Sequence, residues 1–189
     1  MKDSLNKNIP FIHWLNQKIL NMIEDHPEGG EHFFDDLDEM IRNDKNILDV
    51  FLNHFYWYHR SLDKSVPTGV ILSGHFGQAL LENFDEWLHN EFDYVVCVSG
   101  GLRQAEKYPE MYSLNYDKNT KWIFMDDSYY SGGTRNKISK MLQNYEYKPI
   151  SETFVIYDGS KKIDSNVHSM FRYYNQKYKY ADAFPIGNF

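Results

Sequence analysis

The chain predicts an α/β fold, a mainly parallel twisted sheet flanked by helices, with an added helical region at its N-terminus. Three observations lead there. The runs Val70-Ile71-Leu72, Tyr94-Val95-Val96-Cys97-Val98 and Trp122-Ile123-Phe124-Met125 are continuously apolar, as strands covered on both faces are. Segments with apolar residues at helical spacing follow them, giving the strand, helix, strand order of a parallel sheet. The first third of the chain carries helical stripes alone.

Taken in order, Phe11, Leu15, Ile19, Met22 and Ile23 form the first stripe. Pro10 is expected in its first turn, and His26-Pro27-Glu28-Gly29-Gly30 is expected to end it. Phe33, Phe34, Leu37, Met40 and Ile41 form a second stripe, and Ile47, Leu48, Phe51, Leu52, Phe55 and Tyr56 a third. These are packing surfaces, so residues 1–66 are expected to lie on or cap a core made of residues 67–189. That core opens with the strand Val70–Leu72, which ends at Ser73-Gly74. A helix marked by Phe76, Leu80, Phe84, Trp87 and Leu88 comes next, then the strand Tyr94–Val98 with Ser99-Gly100-Gly101 directly after it. Further strands are expected at Met111 to Tyr116 and Lys121 to Met125, joined by a hairpin turn at Asp117-Lys118-Asn119-Thr120. A helix from Arg135 to Tyr145 and a strand from Thr153 to Tyr157 follow. The tail suggests a helix near Val167 to Tyr174 and a final edge segment, and no linker or repeat divides the chain.

Composition narrows the function. At 189 residues the chain suits one domain with a core that needs no disulfide or metal support, and the single Cys97 can form no internal bridge. An unpaired cysteine in an apolar run, no apolar segment of membrane-spanning length and a polar start at Met1 point to a soluble protein of the cytoplasm with no membrane partner. A formal charge of −7 argues against a surface built for nucleic acid, so any phosphate held here belongs to a small molecule. His54 and His59 are five apart, which does not put them on one helical face, and they read as surface or packing residues rather than metal ligands.

The densest chemistry lies in Asp126-Asp127-Ser128-Tyr129-Tyr130-Ser131-Gly132-Gly133-Thr134, directly after an apolar strand and before a helix. Glycines let the backbone turn sharply and approach a ligand. The helix that follows offers unpaired N–H groups and a positive dipole end to a phosphate. Ser131 and Thr134 add hydroxyls, while Asp126 and Asp127 can accept hydrogen bonds from a ribose diol or approach a hydrated Mg²⁺. Strand, Asx turn and helix cap supply the alternative, purely structural reading of the same residues.

This string resembles the motif of the type I phosphoribosyltransferases: apolar strand, two acidic residues, three variable residues, then Ser/Thr-Gly-Gly-Thr, matched here without a gap. The resemblance implies that Asp126 and Asp127, as catalytic residues, hold the ribose hydroxyls of phosphoribosyl pyrophosphate. It also implies that Ser128, Tyr129, Tyr130, Ser131, Gly132, Gly133 and Thr134 wrap its 5′-phosphate. Tyr129 and Tyr130 depart from the smaller residues more usual in the family. By the same resemblance Ser99, Gly100, Gly101 and Arg103 match a pyrophosphate loop, and Val70 to Phe76 is similar to an early strand of the orotate branch. Val155-Ile156-Tyr157-Asp158 falls where the family places an acidic residue beside the base, although Asp158 could equally start the turn at Gly159.

The activity implied is transfer of ribose 5-phosphate from phosphoribosyl pyrophosphate to a nitrogenous base, with a base or nucleotide as second partner, Mg²⁺ as cofactor and a homodimer as a compatible assembly. The four-residue turn expected before the motif strand is too short for the basic covering loop of the family, so the cover would have to come from Leu102 to Glu110 or a second subunit. A non-catalytic sensor holding a nucleotide or phosphoribosyl compound, or an interaction protein with a vestigial site, remain the alternatives.

Overall fold

The computed structural model describes residues 2–26, 31–59, 65–98, 115–175 and 181–184. Three helices come first: α1 (Lys2–Asp25), α2 (Glu31–Asn43) and α3 (Lys45–His59). The α/β part follows as β1 (Thr68–Ser73), α4 (Gly74–Glu91), β2 (Tyr94–Val98), β3 (Lys121–Tyr129), α5 (Gly133–Asn144), β4 (Ile150–Asp158), β5 (Val167–Asn175) and β6 (Ala181–Phe184). One six-stranded sheet has the order β2-β1-β3-β4-β5-β6. Strands β1 to β5 run parallel, and β6 closes the edge antiparallel to β5. The α/β class with a mainly parallel sheet is therefore as expected, with Ile123 to Met125 in an interior strand flanked by β1 and β4.

Alternation along the strands sorts the core into two layers. Val70, Leu72, Ile123, Met125, Phe154 and Ile156 face a cluster shared with α1 to α4. Ile71, Val96, Trp122, Phe124 and Ile150 face the opposite way, against Ile138 and Leu142 of α5. The three stripes read from the first third all supply this core: Leu15, Ile19, Ile23, Phe33, Leu37, Ile41, Ile47, Leu48, Phe51, Leu52 and Phe55 are buried. Phe55 joins the helices to the sheet, meeting Phe154 edge-on at 4.8 Å between centroids and lying against Trp87 and Phe92. Such ring pairs are worth about 0.5–1.5 kcal/mol each beyond the area they bury.

Five expectations need correction or restriction. Pro10 lies inside α1, well past its start at Lys2, rather than in a first turn. Residues 167–175 form strand β5, not a helix, because Met170, Phe171 and Tyr173 are all buried in a sheet position beside β4. The hairpin before β3 does not exist, since both neighbours of β3 run parallel to it and Asn115 and Tyr116 lie outside any strand. Asp117 to Thr120 still make a turn, with Thr120 N–H donating to the Asp117 carbonyl at 3.0 Å. The rest of the expected strand, residues 111–114, is outside the described residues, so the argument for a covering loop that is too short loses its premise. Finally, His54 and His59 are packing residues and not surface ones, at 8% and 3% exposure.

His54 offers a direct test of that packing. It sits on α3 with Nε2 lacking a hydrogen-bond partner. Burial first, and the nearby His168 second, push its pKa from 6.5 down to about 4. The neutral ring is the form that packs, so its contribution to stability is present above pH 6.5 and is lost as pH falls toward 4. In urea denaturation, the stability of wild type relative to His54→Leu is expected to drop by up to ~3 kcal/mol between pH 7 and pH 4. A pH-independent difference would show that the folded protein holds the charged ring at no cost.

Candidate functional site

The sheet order reverses between β1 and β3: the chain goes outward from β1 to β2 on one side and from β3 to β4 and β5 on the other. The helices that leave these two strands pack on opposite faces, α4 with one core layer and α5 with the other. A crevice outside the carboxyl ends of β1 and β3 follows from that divergence, and it is where doubly wound sheets bind ligands. Ser73 ends β1 there, and Asp126 to Tyr129 end β3. The strand runs four residues past Met125, so the acidic pair is held by sheet hydrogen bonding rather than by a flexible turn.

Asp126 and Asp127 are half-buried residues whose carboxyl groups lie deep in the surrounding protein. Burial, and next the charge of Asp127, raise the proton affinity of Asp126 well above the carboxylate range, while a hydrogen bond from Ser73 works against the shift. Burial also raises Asp127, opposed mainly by hydrogen bonding from Ser128, whose hydroxyl donates to Oδ1 at 2.9 Å. Asp38 of α2 adds a third negative charge close enough to raise Asp127 further. Asp38 itself accepts from His75 Nδ1 at 2.7 Å and from Arg42 Nη2 at 3.0 Å, so the first helical layer reaches the crevice edge. Desolvated like charges favour a shared proton, a cation or hydrogen-bond donors from a ligand.

Beyond the pair the chain turns at Tyr130 and Ser131 and enters α5 through Gly132, whose φ of +68° and ψ of 19° suit glycine. A side chain there would also collide with Tyr129, the phenol oxygen standing 2.6 Å from the Cβ position. The Gly132 carbonyl accepts the Asn136 N–H at 2.8 Å, which closes the first helical turn. Helix geometry leaves the N–H groups of Gly133, Thr134 and Arg135 without an intrahelical acceptor, and the N-cap residue Gly132 has no side chain to cap them. Ser131 is exposed, and Gly133 and Thr134 are half-buried. Tyr130 turns away from the loop to pack on Tyr157, 5.5 Å between centroids, and against Gly159.

Of the residues singled out in the sequence, Asp126, Asp127 and Ser128 to Thr134 are thus contiguous at one crevice. Ser99, Gly100, Gly101 and Arg103, with the 102–110 stretch, lie outside the described residues. Asp158 starts a turn, as its second reading held: it accepts the Ser160 N–H at 2.8 Å and lies 3.0 Å from Arg172 Nε, nearly fully buried. Ser73 and His75 lie in the Val70 to Phe76 segment that resembles the orotate branch, whereas Asp38, Arg135 and Asp164 escaped sequence reasoning. These three come from separate elements and share no motif, so only the spacing of Arg135 directly after Thr134 could have drawn notice.

Among the described residues no group of three or more His, Cys, Asp or Glu could hold a metal ion by itself. No described helix is long and apolar enough to cross a membrane. No protein-family profile matches the chain, and no curated protein matches it. Among solved structures, the chain is similar to a hypoxanthine phosphoribosyltransferase from Trypanosoma cruzi in complex with the product IMP, at 15% identity and a TM-score of 0.42, over 73% of this chain and 78% of that one. A mutant hypoxanthine phosphoribosyltransferase from the same organism, a ternary substrates complex, is similar at 15% identity and a TM-score of 0.40, over 73% of this chain and 79% of that one. Likenesses at this level leave the function to be argued from the residues themselves.

The charge of the acidic pair has a consequence for stability. A carboxyl whose proton affinity is raised on folding stabilises the fold most below its ordinary pKa of about 3.9, and that contribution is lost as pH rises through the folded value. Asp126→Asn removes the Asp126 charge at every pH. The variant is expected to melt at a higher temperature than wild type at pH 8, with the gain shrinking toward pH 4. Scanning calorimetry across that range checks it, and a lower melting temperature at pH 8 would mean that the ionised pair is stabilised in the folded protein.

Proposed function

We propose that the protein binds phosphoribosyl pyrophosphate at this crevice and transfers its ribose 5-phosphate to a nitrogenous base, as a phosphoribosyltransferase-like enzyme. The observation that carries this reading is the position of the gapless Asp126 to Thr134 string: it ends the interior strand at the reversal of the sheet and opens an uncapped helix. In this reading Asp126 and Asp127 accept hydrogen bonds from the ribose 2′- and 3′-hydroxyls, which add donors to those that Ser73 and Ser128 already give the two desolvated carboxyls. Ser131, Thr134 and the free N–H groups of α5 receive the 5′-phosphate. Residues 1–66 form an added helical layer on the α/β core of residues 67–189, and Ser99 to Arg103 is the proposed pyrophosphate loop.

The donor chemistry fits Mg²⁺ as a cofactor bound with the substrate. Mg²⁺ is commonly held by one or two carboxylates together with substrate phosphate oxygens, not by an all-protein cage. Asp126 and Asp127 would supply the carboxylates, and the metal would draw charge off the departing pyrophosphate. The protein's own part is positioning: the ribose is fixed at both ends, by its diol and by its 5′-phosphate, so its anomeric carbon is presented in one place. The bond from that carbon to the pyrophosphate oxygen breaks with the electron pair leaving on pyrophosphate, and a ring nitrogen of the base takes its place.

Binding and turnover can be separated experimentally. Calorimetric titration with phosphoribosyl pyrophosphate and Mg²⁺ is expected to give saturable heat in wild type. In Gly132→Val that heat should vanish, because the branched side chain cannot adopt the left-handed backbone and strikes Tyr129. Pyrophosphate release with a panel of common bases is expected from wild type. In Asp126→Asn and Asp127→Asn it should fall by about 100-fold or more with the fold retained. Binding without release for any base would identify a sensor, and unchanged binding in a folded Gly132→Val would remove the phosphate site from this loop.

A further inference from the structure

Tyr129, Arg135 and Asp164 have no task in the transfer just described, yet they converge on the phosphate loop. Arg135 lies in the first turn of α5, and helical side chains lean toward the helix N-terminus, which brings its guanidinium back to the end with the free N–H groups. Its Nη1 donates to Asp164 Oδ2 at 2.8 Å. Its Nε is enclosed and has no hydrogen-bond partner, in a side chain only 12% exposed. Tyr129 donates its hydroxyl to the same Oδ2 at 3.4 Å. That hydroxyl is the atom 2.6 Å from the Cβ position of Gly132, the residue before α5. The Asp164 carboxylate therefore stands beside the N-terminus of α5. Its other oxygen accepts the Asn166 N–H at 2.9 Å. Its proton affinity is lowered, first by that bond and further by Arg135, so it is an anion at neutral pH.

An anion beside a helix N-terminus, gripped by an arginine and a tyrosine hydroxyl, has the surroundings that a phosphate monoester would seek. We propose that Asp164 is an internal surrogate for the ligand's phosphate, and that Arg135 is a phosphate-binding residue which exchanges the Asp164 carboxylate for the phosphate when ligand arrives. This rests on the phosphate-site reading of Ser131 to Thr134 and adds to it one binding residue and its competitor. The exchange has a place to go. Asp164 belongs to the connection between β4 and β5, which remains anchored at its start: Gly159 N–H donates to the Tyr129 carbonyl at 2.9 Å, and the Ser160 carbonyl accepts from Arg172 at 3.1 Å. Residues 161–163 are exposed, Ile163 at 77%, so release of Asp164 frees a segment that buries little.

Ribose 5-phosphate titrated calorimetrically into the full chain is the test, with hydrogen exchange of residues 161–166 measured in parallel on wild type. Asp164→Asn is expected to bind the probe about three- to tenfold more tightly, because the competing charge is gone and the side-chain shape is kept. Arg135→Gln is expected to bind about tenfold more weakly, and saturation of wild type is expected to speed exchange in residues 161–166. Weaker binding by Asp164→Asn would make Asp164 a support for Arg135 instead of a competitor and would overturn the proposal, as would slowed exchange on saturation. If Gly132→Val abolishes binding while Asp164→Asn also weakens it, the phosphate loop stands and the surrogate falls. If neither wild type nor Asp164→Asn binds the probe, both fall.

Discussion

The reversal of strand order between β1 and β3 is the constraint on which the rest of the molecule depends. A right-handed crossover places its helix on one face when the chain moves one way along the sheet and on the other when it moves back. α4 and α5 therefore cannot both cover the carboxyl ends of the two central strands. The gap that remains is lined by whatever ends those strands. Here that is Ser73 on β1, and Asp126, Asp127 and Ser128 on β3. The apolar residues before them, Ile71 to Leu72 and Trp122 to Met125, are fully buried, so the change from apolar to acidic takes place within a single strand.

That change sets two energetic demands against each other. Burial of the strand stabilises the fold by about 25 cal/mol for each Å² of apolar surface covered. Extending the same strand through two adjacent carboxylates costs free energy, because their charges are desolvated and repel. Ser73 and Ser128 offset only part of this through hydrogen bonds. An acidic pair built this way is destabilising in itself and is relieved by any group that brings donors or positive charge, which is the usual opposition between stability and function. The turn into α5 shows the same logic with opposite sign: N–H groups without intrahelical acceptors and Arg135 attract an anion, and Asp164 meets that attraction.

The first three helices bear on the site through rigidity and charge. Their apolar stripes fill the same core layer as α4, with Phe55 against Phe154 and Phe51 edge-on to Phe76 at 4.9 Å. Packing at this density allows little independent movement of α2. Asp38 on α2, held by His75 and Arg42, is thereby fixed near Asp127. A helical layer that reads in the sequence as a packing surface thus also contributes to the electrostatics of the crevice.

The amino-acid sequence by itself determined what depends on local pattern. Continuous apolar runs specified β1, β2 and β3, helical stripes specified the buried faces of α1, α2 and α3, and the order of Trp122 to Thr134 specified a strand, a turn and a helix start, although β3 continues through Tyr129 where the turn was expected. Tertiary structure decided what depends on neighbours. Residues 167–175 carry no pattern that separates helix from strand, and an open edge beside β4 made them β5. Apolar runs do not state their partners, so the hairpin expected before β3 gave way to parallel pairing with β1 and β4 on both sides. Most of all, the grouping of Asp38 and Ser73 with the acidic pair, and of Arg135 with Asp164 at the start of α5, joins residues far apart in the chain, Asp38 and Asp126 by 88 positions. No spacing rule reaches that far, because such residues meet only once the sheet order and the faces taken by the helices have been set by packing.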